Sequence, residues 1–426
     1  MKVPTLCDPV LDPVHDPRAA GSSPRWHRLA PRLPTWLHDM AAFCAALLCA
    51  GLAALLIGVI GGCGGGVGSE GTGSYASGPI SGFGSIIVNG VHFEESAAQV
   101  QDDDGQTLAG SALALGMVVQ VTAGPVSTAA DGSRRAVASA VRTSRSLVGP
   151  ASAVGLASGQ LLVLGQKVWV SGDTVFDARL AGGLAGIASG QLLEVYGFYD
   201  STRVAYTATR INPAATSAGL RVSGPVAALD PRSQTFSVGS QTYSFAALGT
   251  GVSPSEGEWV RLNLQPEPDS GGRWVVSGQR ASDSAPKDRD GAGLDGVVSA
   301  RLSGNRFVVD GVTVDASAAQ VSGTVAVGAE VEVSGSLRAG VLVAAVVKVS
   351  GDQARSFELE GSPTALDSTA RRFLLRGVTV SYARSGLVFE NGSAATLVGY
   401  TGKLHVEGVL SADRTLLEAT RIHFDK

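Results

Sequence analysis

The chain has 426 residues, enough for several domains, with 56 glycines, 16% charged residues and 6% aromatics. That composition argues against long solvated helices and for many short strands joined by tight turns. The formal net charge is −4, and beyond residue 62 there remain 28 basic against 33 acidic residues, so the basic footprint of a nucleic-acid binder is missing and no nucleic-acid partner is expected.

In chain order, residues 1–62 read as a leader. Basic residues precede an uncharged apolar run over residues 40–60, and Gly61, Gly62 and Cys63 follow it. A basic flank, an apolar core and small residues at the cut site make a secretory signal peptide. Ile60-Gly61-Gly62-Cys63 resembles the bacterial lipoprotein box. The resemblance implies cleavage before Cys63, lipidation of that residue and, with Gly64 next to it, delivery to the outer membrane. The alternative is an uncleaved transmembrane helix, since the 21 residues of the run suffice to span a bilayer. Either way the basic flank stays in the cytoplasm and the rest of the chain lies outside it. The Pro-rich stretch before Met40 reads as a disordered lead or as an upstream start. Cys7, Cys44 and Cys49 fall in the leader and Cys63 is the last cysteine, so the exported body has neither an internal disulfide nor a thiol set for metal or nucleophilic chemistry.

A Gly/Ser-rich tether spans 63–76. Beyond it Gly90-Val91-His92-Phe93-Glu94-Glu95-Ser96-Ala97-Ala98-Gln99-Val100 returns as Gly311-Val312-Thr313-Val314-Asp315-Ala316-Ser317-Ala318-Ala319-Gln320-Val321, and a period of about 70 residues means an array of like modules. Three markers recur. An opening strand begins near a Gly-Pro step at Gly78, Gly149 and Gly224, degenerate at Gly296 and Gly361. A hairpin turns at Gly90, Gly165, Gly239, Gly311 and Gly377, in steps of 75, 74, 72 and 66 residues. A later glycine, at 116, 190, 257, 328 and 399, leads into an alternating strand. The expected fold is all-β: five tandem, small, five-stranded OB-like β-barrel modules, over 77–146, 147–217, 218–281, 293–351 and 352–426. The segment between hairpin and third marker is where one short helix fits. The charged, Pro-containing stretch 282–292 reads as a linker, leaving three modules, a hinge and two modules.

Ile80-Ser81-Gly82-Phe83-Gly84-Ser85-Ile86-Ile87-Val88-Asn89-Gly90-Val91-His92-Phe93 resembles the signature of the bacterial domain-of-unknown-function family numbered 5666. The likeness is close in the first module, good in the fourth and at pattern level elsewhere. It implies an exported, envelope-associated protein of small β-barrel repeats, and it carries no assigned chemistry.

Catalytic and metal motifs are sparse. His92, His405 and His423 are the histidines beyond the leader and do not pair at metal-ligand spacing. No nucleophile elbow or P-loop occurs. Asp102-Asp103-Asp104-Gly105 reads as a solvated turn, with a weak calcium site as the alternative. A basic residue recurs near each closing strand, at Arg142, Arg210, Arg280, Lys348 and Arg421. These five either line up against an anionic partner or simply solubilise and blunt strand edges. Tyr196, Phe198 and Tyr199 place aromatics on both faces of one strand, and Trp169, Trp259 and Trp274 also lie in strand patterns. Aromatics grip sugars when exposed and fill cores when not. The expectation is a non-enzymatic, lipid-anchored cell-envelope protein without cofactor or metal, facing the periplasm or the cell surface, acting as a scaffold or as a binding module for an envelope protein. The alternative is a glycan-binding lipoprotein, and the third reading is an accessory to a periplasmic enzyme.

Overall fold

A computed structural model describes residues 73–248, 254–280, 287–351 and 354–425. The apolar run, Cys63 and most of the tether lie outside them. Among the described residues the structure is strands and turns, with short 3₁₀ helices at Gly110–Ala112, Gly183–Gly186 and Ala246–Leu248. All three fall between a hairpin and the glycine that follows it, where the repeat leaves room for one.

The strands close into small barrels. In 147–213, Leu147–Gly155 pairs antiparallel with Gln160–Val163, which turns into Gln166–Phe176. That third strand runs parallel to Ala205–Pro213, which pairs antiparallel with Leu192–Asp200, which returns to Leu147–Gly155. The order 1-2-3-5-4-1 is the OB-like circuit, and it leaves no free edge. The same circuit recurs in 74–143, in 221–280, in 289–349 and in 357–424. We number these barrels one to five in chain order.

The recurring glycines have a shared physical cause. Asn89–Gly90, Leu164–Gly165, Asp310–Gly311 and Arg376–Gly377 all turn with both φ angles positive, between 46° and 79°, the two-residue turn that matches the twist of the flanking strands. The turn residue then folds back over the opening strand. A Cβ on Gly78 would lie 2.7 Å from Asn89 Oδ1, and one on Gly149 would lie 2.3 Å from Leu164 Cγ. Two of the three sequence markers therefore touch. The third, Gly116, Gly190, Gly257 and Gly328, has φ between 78° and 84°, and its amide donates to the opening strand at Ile80, Ala151, Val226 and Val298 in turn.

The barrels do not form a simple row. Ser74–Pro79 of barrel one runs parallel to Arg289–Arg301 of barrel four, and Gly82–Phe83 runs parallel to Phe357–Gly361 of barrel five. Barrels two and three join through Leu147–Gly155 and Arg221–Asp230. Their cores follow the same grouping. One cluster spans barrels one and five and takes in Val175, Tyr196 and Phe198 of barrel two. A second spans barrels two and three, and barrel four has its own. Gln166, fully buried, donates to Val238 O at 2.6 Å and to the Tyr243 hydroxyl at 2.9 Å, tying barrel two to barrel three.

These pairings correct the reading of the ends and joints. Residues 74–76 of the expected tether are strand. Of the expected linker 282–292, residues 282–286 lie outside the described residues, while 289–292 already belong to Arg289–Arg301. A strand pair built across that joint makes barrel four a partner of barrel one, instead of a unit swinging on a hinge.

Candidate functional site

A cavity of about 480 Å³ opens where barrels one, two and five meet, within the size range of small-molecule sites. Its walls come from three distant stretches: the loop before Met117 in barrel one, the strand end at Phe176 with Tyr196 and Arg210 in barrel two, and the two turns carrying Arg376 and Arg414 in barrel five. Leu113, Leu115, Met117 and Phe176 line it together with Arg145, Arg179, Arg210, Arg376 and Arg414 and with Asp102, Asp177 and Glu194.

Most of these charges are matched. Arg145 lies in the short connection between barrels one and two. Its Nη2 contacts Asp102 at 3.3 Å, Asp104 at 3.2 Å and Asp103 more closely still, and its Nη1 contacts Glu194 at 3.1 Å. Arg221 of barrel three reaches the same acids, with its Nη1 2.8 Å from Asp103 and its Nη2 on Asp104. The Asp102–Asp104 carboxylates lie within 4.8 Å of one another, close enough for a cation, but the two guanidiniums occupy the ground between them. Asp102 Oδ1 also accepts from the Asp104 and Gln106 amides at 2.9 and 2.8 Å. The stretch is a partly buried ion-pair knot between barrels, neither a solvated turn nor an open calcium loop. Burial pushes the Asp103 carboxyl up, but Arg145 and Arg221 outweigh that and hold it below its ordinary range. Asp177 is likewise held low against burial, by hydrogen bonds from Arg179 and by the charge of Arg210.

Two arginines are left over. Arg376 Nε donates to Glu360 O at 3.0 Å and makes no ion pair among the described residues. Arg414 also makes none there, and its Nε is buried without a hydrogen-bond partner. Its backbone has φ of 60°, in the left-handed region that non-glycine residues rarely occupy. The turn that carries it, between the paired Leu410 and Leu417, is long; barrel four makes the same connection with Ala339–Gly340 alone. Arg414 O accepts from Phe176 N at 3.2 Å, docking this turn on barrel two. Tyr196, 3% exposed, makes no side-chain hydrogen bond among the described residues; burial and then Glu194 push its phenol pKa up.

The residues singled out in the sequence are dispersed. Arg210 is buried, donating to Asn212 Oδ1, Leu115 O and Asp177 Oδ2, and burial pushes its guanidinium pKa down against the pull of Asp177. It belongs to a barrel joint and not to a surface line. Arg142 is half-buried. Lys348 lies 3.6 Å from Glu332, and Arg421 lies 3.1 Å from Glu407. The Arg280 side chain lies outside the described residues.

The aromatic expectation also changes. Tyr196, Phe198 and Tyr199 are all buried, at 3%, 3% and 7% exposure. Tyr199 turns into its own barrel and packs edge-on against Tyr206 at 5.2 Å. Tyr196 and Phe198 face the core shared by barrels one and five. A strand with aromatics on both faces here marks contact between barrels, and these three rings offer no open sugar platform. Trp169 is half-buried under Arg203, 5.6 Å from its ring centroid. Of the chemistry that lines the cavity, sequence reasoning reached Asp102, Tyr196 and Arg210 but gave no role to Arg145, Arg376 or Arg414: Arg145 and Arg414 lie in connections that no repeat marker covers, and in the hairpin of barrel five the signal is carried by Gly377 and not by Arg376.

Comparison with known proteins agrees with the repeat. The family model described as "Domain of unknown function (DUF5666)" matches residues 148–212 and 295–348. Each match coincides with one five-strand circuit, barrel two and barrel four. Gly311–Val321 lies within the second match, whereas the phrase Ile80–Phe93 lies outside both. A solved structure titled "drosophila Unr CSD456" aligns over 48% of this chain and 96% of its own at 14% identity, with a TM-score of 0.12; the barrel assignment rests on the strand pairings themselves. No curated protein matches the chain.

Proposed function

We propose that this is a non-enzymatic, lipid-anchored cell-envelope protein that binds a small molecule in the cleft between barrels one, two and five. The observation that carries the reading is the cavity of about 480 Å³ walled by three barrels. Docking the barrels costs conformational freedom and desolvates charges at Arg145 and Arg210, yet the joint still leaves a space with apolar and charged walls. Such a space is a binding site by default. Barrels that pair non-sequentially would hold its walls in register, and an anchor at Cys63 would keep it at the outer membrane. An enzyme accessory is less well supported, because the carboxylates of the cleft, Asp102, Asp177 and Glu194, are each taken up by an arginine. A glycan site on Tyr196, Phe198 and Tyr199 loses its premise with their burial.

The test is native mass spectrometry of the full-length protein purified in mild detergent from its own cells. Ala178, exposed on the cleft wall, is replaced in an Ala178→Trp variant that fills the space. The wild type is expected to carry a bound small species that the variant lacks. The same species on both, or none on either, overturns the reading. For the anchor, Cys63→Ala is expected to abolish fatty-acid labelling, and undiminished label would remove it.

A further inference from the structure

We infer that the ligand of this cleft is an amphipathic anion, an apolar body carrying a carboxylate or phosphate head, and that Arg414, Arg376 and Tyr196 receive the head. The inference rests on the binding reading above and adds the ligand's chemistry. It starts from the charges on the walls. Arg145 is matched by Asp102 and Glu194, and Arg179 and Arg210 share Asp177. Arg376 and Arg414 then make no ion pair among the described residues, although Arg376 adds to the field that Lys403 sets at Glu360. A buried guanidinium nitrogen with no acceptor is costly unless something supplies one, and Arg414 Nε is in that position.

Tyr196 adds an independent observation. Its ring is packed into the shared core, its hydroxyl is a donor left without an acceptor, and it lines the same cavity. With its pKa pushed up by burial, it stays protonated and donates through the physiological range. An oxyanion can accept from all three side chains at once. A cation would meet two unpaired arginines, and a neutral sugar would leave their charge unanswered. The apolar part of the lining makes a bare inorganic ion a poorer fit than an anion with an apolar body. Leu108, Val378, Leu410 and Leu416 line the cavity and are only half-buried, so they leave apolar surface for a ligand to cover. Covering that surface is favourable at about 25 cal/mol per Å² of apolar surface removed from water.

The experiment is isothermal titration of the full-length protein in a neutral sugar detergent. The probes are octyl phosphate, octanoate, 1-octanol, octylammonium and inorganic phosphate. The two octyl anions are expected to bind, and their ratio separates a phosphate head from a carboxylate head. Octanol, octylammonium and inorganic phosphate are expected to bind at least about 10-fold more weakly. Arg414→Gln should weaken the anions by about 10- to 100-fold, the range of one lost charge-assisted hydrogen bond, with Arg414→Lys recovering part of it. Tyr196→Phe, which keeps the packing, should weaken them by several-fold. Arg376→Gln on its exposed turn is the variant least able to disturb folding, and it should also weaken them. Equal binding of octanol and octyl phosphate, or no effect of Arg414→Gln and Arg376→Gln in proteins that melt like the wild type, overturns the inference. If neither octyl anion binds while Ala178→Trp still abolishes the native bound species, the ligand class is wrong and the cleft reading stands. If Ala178→Trp leaves octyl phosphate binding intact, the cleft reading itself fails.

Discussion

Replacing Arg145 by Met removes one guanidinium from the knot that joins barrel one to barrels two and three. The Arg145 side chain is 10% exposed and that of Asp103 8%. Removing one partner of a buried ion pair costs about 3–5 kcal/mol, because a desolvated charge is left behind. Arg221 Nη1 remains 2.8 Å from Asp103 and softens the loss, so we expect about 2–3 kcal/mol. The readout is amide hydrogen exchange at Ser146 and Ser223, whose amides bond to Val195 O and Ser146 O at 2.9 Å across the joint. Their opening should become about 30- to 150-fold easier at pH 7. The pH dependence has a definite sign. The folded Asp103 pKa is depressed below its ordinary value, because Arg145 and Arg221 outweigh burial. Its stabilising contribution is therefore present above that value and is lost as pH falls through the folded one. The ratio of variant to wild-type exchange should shrink toward one in that acid window, since a neutral carboxyl needs no partner. A ratio below about 2 at pH 7, less than about 0.5 kcal/mol, or one that does not fall in acid, would refute the reasoning.

Three further outcomes follow from packing. Gln166→Leu should lower stability by about 1–3 kcal/mol by stranding the Val238 carbonyl and the Tyr243 hydroxyl, with exchange rising first at Gly239 and Ser240; unchanged exchange there would contradict it. Gly149→Ala should cost about 1–3 kcal/mol, because its Cβ would overlap Leu164, and a neutral result in a thermal melt would mean that the turn does not close over the opening strand. Barrel four expressed alone as residues 287–351 should melt earlier and more broadly than the full chain, since Arg289–Arg301 loses its parallel partner Ser74–Pro79; an equally sharp melt at the same temperature would show that the pairing adds nothing.

Much of the barrel was legible because its grammar is local. Asn89–Gly90 and Asp310–Gly311 need left-handed turns, Gly116 and Gly328 need positive φ, and period-two strands such as Trp259–Leu264 bury every second residue. All of these read from a few neighbouring residues. Leu164 and Arg376 obey the same turn rule with residues that resist it, which only the spacing of the repeat betrays. The assembly of barrels was not legible. Strand pairing between Ser74–Pro79 and Arg289–Arg301 joins segments more than 200 positions apart, and no local pattern encodes a parallel partner at that distance. Tyr196 and Phe198 carried the strongest hint, since an outward aromatic on a barrel strand needs a cover. Arg414 carried none, because a turn arginine looks solvated until another barrel is placed over it.

The most direct measurement is a crystal structure of the full-length protein grown with octyl phosphate. The account predicts the phosphate in the cleft between barrels one, two and five, within hydrogen-bond reach of Arg414 and the Tyr196 hydroxyl, with the chain against Leu410 and Leu416. An empty cleft with the ligand bound elsewhere on the surface would contradict it.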